Sequence, residues 1–124
     1  KLLSVDCEIT VDLAPVVAND PNCQAVCHQF PGRNAVTIVF RSDIGDTREW
    51  RSVIVHELLH ATHQRIDHAV EDAIFARLPE GERKLAQAIY DQVVEAYTDR
   101  MATALVDAVD RRERDARTTA ATNR

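Results

Sequence analysis

Two histidines and a glutamate stand inside an otherwise apolar helical stretch, and few arrangements can accommodate them there. The segment Val53-Ile54-Val55-His56-Glu57-Leu58-Leu59-His60-Ala61 carries no other charged or polar side chain. It belongs to a longer run in which Trp50, Val53, Ile54, Leu58 and Ala61 supply a buried helical stripe. Asp46 or Thr47 caps this helix and Glu49 suits the positive end of its dipole. Its end is expected near Gln64 or Arg65. An unpartnered polar group buried among apolar ones costs about 1–3 kcal/mol, so the three side chains need a common partner. Residues four apart project from the same helix face, one turn above each other. Both imidazoles can therefore reach one Zn²⁺, with Glu57 beside the remaining coordination position, placed to act as general base on a water. The competing reading is a set of hydrogen-bonded core residues with no metal.

The chain has 124 residues, the size of one domain, and 45% of them are hydrophobic, enough for a single core. A net charge of −5 and the lack of a basic stripe argue against a nucleic-acid partner. No apolar run is long enough to span a membrane, and no signal-peptide pattern opens the chain. Three cysteines, Cys7, Cys23 and Cys27, make an odd count that fits free thiols in a reducing compartment. The expected location is therefore cytoplasmic. Cys23-x-x-x-Cys27-His28 has metal-ligand residue types but no second ligand pair, and buried thiols are the plainer reading.

The first third reads as strands. Leu3, Val5, Cys7, Ile9, Val11 and Leu13 alternate with polar residues. Pro15 and Asn19-Asp20-Pro21-Asn22 break the pattern. A short strand follows over Gln24 to Phe30, a turn over Pro31-Gly32-Arg33-Asn34, and a β-branched strand over Ala35 to Phe40. Helices take over after Asp46. Beyond the helix of the histidines, Asp67 caps a short helix over His68 to Arg77, ended by Pro79 and Gly81. A long helix then covers Glu82 to Arg111, its buried stripe formed by Leu85, Ile89, Val93, Tyr97, Met101, Leu105 and Val109. The expectation is an α+β fold, a small and mostly antiparallel sheet covered on one face by helices, as a single domain over 1–111. Residues 112–124 are expected to form a frayed charged tail.

The His56-Glu57-Leu58-Leu59-His60 motif resembles that of the zincin metallopeptidases, whose third zinc ligand distinguishes the clans. The metzincin pattern needs Gly at position 63 and a ligand at 66, where this chain has His63 and Ile66. Asp67 is one position late for another clan. Glu95-Ala96-Tyr97-Thr98-Asp99 is similar to the Glu-Ala-x-x-Asp segment of thermolysin-type gluzincins. The resemblance, closest to minimal phage- and prophage-type forms, implies Glu95 as third ligand, Asp99 as hydrogen-bond partner of a ligand histidine, and a single zinc. Ala88 and Ala102, a heptad to either side of Glu95, would let that face approach another helix. Glu71 is the alternative third ligand, with Asp72 and His68 behind it. His63 lies two turns from His56, about 10 Å along the helix, and is an exposed residue or a site-edge group rather than a ligand. The family also implies an extended peptide or protein substrate paired with a strand beside the cleft, for which Ala35 to Phe40 is the candidate. An ordinary central strand is the plain alternative. Tyr90, Tyr97 and His68 are available as oxyanion donors. The implied activity is zinc-dependent peptide hydrolysis. Its rivals are a zinc-stabilised interaction module without an organised cleft, and a metal-free helical interaction domain.

Overall fold

The computed structural model describes residues 7–30 and 32–123, so Leu3, Val5 and Pro31 lie outside the described residues. The order is three strands, then helices: β1 (Glu8–Ala14), β2 (Ala25–Gln29), β3 (Ala35–Arg41), α1 (Arg48–Ala73), a short 3-10 turn (Phe75–Arg77) and α2 (Glu80–Thr122). This is an α+β fold.

The sheet runs β1-β3-β2. A short turn joins β2 to β3 and forces them antiparallel, Cys27 opposite Ile38. Gly32 supplies the left-handed φ of 75° that this turn requires, and Arg33 N–H donates to Phe30 O at 3.1 Å. β1, in contrast, lies parallel to β3, Val11 opposite Ile38. The sheet is therefore mixed rather than mostly antiparallel. The reason is the loop after Ala14, folded on itself by the Val17–Asp20 bridge, which carries the chain to the far edge before β2 begins. β3 is thus the central strand, hydrogen-bonded on both sides.

Alternation on β3 sends Val36, Ile38 and Phe40 into the core, where they meet Trp50 and Ala61 of α1, with Ile9, Cys27 and Ile54 packed around them. On β1 the predicted buried face holds only at its start. Ile9 packs on the core, but Val11 and Leu13 are exposed, because α1 lies along the β2 side of the sheet and leaves the far end of β1 bare.

α1 opens on Thr47, whose Oγ1 accepts from Trp50 N–H at 3.2 Å. It does not stop near Gln64. It continues for 26 residues to Ala73, absorbing most of the short helix expected after Asp67. No glycine or proline lies between Gly45 and Pro79 to interrupt it, and Asp67 spends its carboxylate on side chains of other elements instead of a cap. α2 follows Pro79 and runs 43 residues to Thr122, through the stretch expected to fray.

The buried face of α2 is also different from the predicted one. Thr98, Ala102 and Val106 are buried, whereas Leu85, Ile89, Val93, Tyr97 and Val109 are exposed. Thr98, Ala102 and Val106 share the side of α2 that carries Glu95 and Asp99, which meet His56 and His60 of α1, whereas Leu85, Ile89, Val93 and Tyr97 lie on the opposite side of the helix. Ala102 makes the expected close approach; Ala88 is exposed. Arg48 pairs with Asp107 and Asp110, and Arg51 with Asp46 and Asp110, tying the start of α1 to the second half of α2.

The uneven cover of the sheet gives a direct test by chemical denaturation. Ile38→Ala removes a fully buried side chain and should cost about 2–5 kcal/mol. Leu13→Ala, at an exposed position, should stay within about 0.5 kcal/mol. Equal losses would contradict this packing.

Candidate metal centre

His56 and His60 leave α1 on one face, as their spacing requires, and α2 brings Glu95 against both. His56 Nε2 lies 2.9 Å from His60 Nε2, His60 Nε2 is 2.9 Å from Glu95 Oε1, and His56 Nε2 is 3.3 Å from Glu95 Oε2. Among the described residues this is the one group of three or more His, Cys, Asp or Glu side chains spaced to hold a metal ion. Ligand atoms around a tetrahedral zinc at about 2.0–2.1 Å stand roughly 3.3–3.4 Å apart. The triangle present therefore needs to open by only a few tenths of an ångström. Two imidazole nitrogens facing each other and a shared carboxylate form a donor set that fits a cation.

Asp99, one turn after Glu95, accepts from His56 Nδ1–H at 2.8 Å. That contact fixes the tautomer, leaving Nε2 of the neutral ring with its lone pair toward the triangle. Burial holds His60 below the ordinary histidine pKa, which favours the neutral form that a metal requires. Glu57 is only 7% exposed and opens onto the same cavity. Burial, with Glu95 adding to it against the opposing pull of His56, raises its carboxyl to about 7.

The cavity holds about 410 Å³ between β2, α1 and α2, and the two histidines, Glu57 and Glu95 line it. Ala25, Val26, Cys27 and Gln29 of β2 form one wall. The strand beside the site is therefore the edge strand β2. Ala35 to Phe40 is the central strand, both of its edges already paired. This corrects the expected docking strand, because a saturated strand has no main-chain groups to offer a peptide.

A second polar network braces the cavity. Gln29 Nε2 donates to Asp67 Oδ2 at 3.0 Å and to the backbone oxygen of His60 at 3.4 Å. Tyr90 Oη–H donates to Asp67 Oδ1 at 2.7 Å, and burial with this bond raises the phenol to about 12. Neither Gln29 nor Asp67 was expected at the site from sequence. The available signal was spacing, since Asp67 follows His60 by two helical turns and shares its face. Of the three proposed oxyanion donors, Tyr90 lines the cavity, and Tyr97 and His68 do not. Glu71 lines the wall but does not join the ligand triangle, and neither Asp72 nor His68 belongs to it. His63 stays outside the triangle, its ring 6.0 Å from that of Tyr97. Cys7, Cys23 and Cys27 form no disulfide and are half-buried rather than fully buried, and among the described residues they form no metal group with His28.

Compared with known proteins, the chain matches no family model, no curated protein and no solved structure. No helix among the described residues is long and apolar enough to cross a membrane.

Metal analysis of purified variants tests the third ligand. Glu95→Ala should lose zinc by at least tenfold in affinity, while Glu71→Ala should keep about one equivalent; the reverse order would move the site toward the end of α1.

Proposed function

We propose that the chain hydrolyses peptide bonds with one zinc held by His56, His60 and Glu95. The observation that carries this reading is the triangle of ligand atoms drawn from two helices, with the carboxyl of Glu57 buried beside it. When bound, zinc supplies Lewis acidity: it polarises an amide carbonyl and makes water acidic enough to lose a proton near neutral pH. Glu57, buried beside the triangle, would take a proton from the attacking water and hand it to the leaving amine nitrogen, a transfer worth roughly 10²–10⁴ in rate. Asp99 keeps His56 in the ligating tautomer. An extended peptide pairs along the free edge of β2, while the one O–H of Tyr90 is given to Asp67 and braces the cavity wall.

The wall also carries Asp67, Glu71 and Asp91, and no lysine or arginine. Uncompensated carboxylates attract a cation, so a lysine or arginine beside the scissile bond is the favoured substrate feature. On a peptide library, cleavage next to basic residues should exceed cleavage next to acidic ones by about tenfold or more, and the gap should narrow at high salt.

The rival reading is a zinc-stabilised interaction module. In its favour, Glu95 stays 56% exposed and only β2, α1 and α2 bound the cavity among the described residues. Glu57 separates the two readings, since a purely structural site has no use for a buried base. Glu57→Gln should retain zinc and lose at least about a hundredfold in peptide hydrolysis. A zinc-loaded wild type with no hydrolysis above that variant would assign the chain to the module.

A further inference from the structure

The outer face of α2 between Glu82 and Arg100 is left largely uncovered, Tyr97 at its edge having its ring 6.0 Å from that of His63 on α1. Leu85, Ile89, Val93 and Tyr97 are 64%, 54%, 61% and 52% exposed there, although their spacing is that of a packed helix face. At about 100° per residue they form a stripe roughly 120° wide, with Ala86 and Ala96 inside it. Four such side chains bring the stripe toward the roughly 300–600 Å² at which an exposed apolar patch marks an interaction site.

The order of residues along the stripe identifies its occupant. About residue 91 the stripe mirrors itself in kind. Ile89 and Val93 stand two residues to either side, Ala86 and Ala96 five, Leu85 and Tyr97 six. Glu82 and Arg100 stand nine to either side, with opposite charge. Glu82 and Arg100 are about five turns apart, so both fall on the centre line of the stripe. Both are exposed, and among the described residues neither is ion-paired.

We infer that this face pairs antiparallel with the same face of a second copy of the chain. A two-fold axis at residue 91 brings Ile89 against Val93 and alanine near alanine, where small side chains permit close approach, and sets Leu85 and Tyr97 at one height on opposite flanks of the seam. It also sets Glu82 of each copy opposite Arg100 of the other, so both ends close with an ion pair. A parallel pairing would instead oppose Glu82 to Glu82 and Arg100 to Arg100. An isologous contact of this kind closes at two copies. Glu95 lies roughly 140° around the helix from the centre line of the stripe, so pairing leaves the metal-ligand triangle facing away from the partner.

Sedimentation equilibrium of the full chain tests this, with circular dichroism confirming that each variant keeps its helix content. The wild type should be a dimer at micromolar concentration. Val93→Glu should make it monomeric. Glu82→Arg and Arg100→Glu should each weaken association by about tenfold or more through two like-charge contacts, and the double exchange should restore it. A wild type that stays monomeric at 100-fold higher concentration would overturn the proposal. So would a dimer indifferent to Val93→Glu, or single charge reversals that the double exchange fails to rescue.

Discussion

Everything in this fold hangs on α1 having to satisfy two unlike neighbours. Trp50 and Ala61 face the apolar side chains of β3, while His56 and His60, a fraction of a turn away, face α2. Burial makes both faces obligatory. The apolar face is favourable once covered, but imidazoles that are themselves largely buried need partners, and Glu95 and Asp99 supply them from the opposing helix. The polar contacts thus set where α2 sits along α1, and the apolar contacts of Ala102 and Val106 hold it at that height. Arg48 and Arg51 add ion pairs to the far half of α2, which at exposed positions contribute little energy but oppose sliding.

The site was more legible in the sequence than the packing around it. Two histidines four apart can share a ligand only if their segment is helical, so a local rule fixes most of the triangle. Glu95 and Asp99 came instead from the resemblance of Glu95-Ala96-Tyr97-Thr98-Asp99 to a gluzincin segment, since spacing alone says only that the two share a helix face. What joins the two helices is tertiary, and the residues lost to prediction are those defined by contacts between elements. Asp67 looked like a helix cap because aspartate favours caps. It proved to be the joint between Gln29 and Tyr90, a role that no local pattern announces.

The sheet shows the same limit. Alternation located β1, and turn residues with a β-branched run located β2 and β3, but strand order is a property of the loop between β1 and β2. With β3 central, the free edge at the cavity passes to β2. On α2, hydrophobic spacing was read as a core stripe, and hydrophobicity alone cannot say which protein covers it. The structure covers Thr98, Ala102 and Val106 and leaves Leu85 to Tyr97 outside. The helix consequently has two working faces, one completing the candidate metal centre and one open to a partner.

The central claim is that this pair of helices encloses a zinc ligated by two imidazoles and a carboxylate. X-ray absorption at the zinc edge, on protein loaded with one equivalent, reads the ligand set without depending on catalysis. A tetrahedral shell of nitrogen and oxygen at about 2.0–2.1 Å, with the outer-shell scattering of two imidazoles, is the result predicted. Sulfur at about 2.3 Å would place the metal on the cysteines instead, and failure to take up zinc would remove the metal from the account altogether.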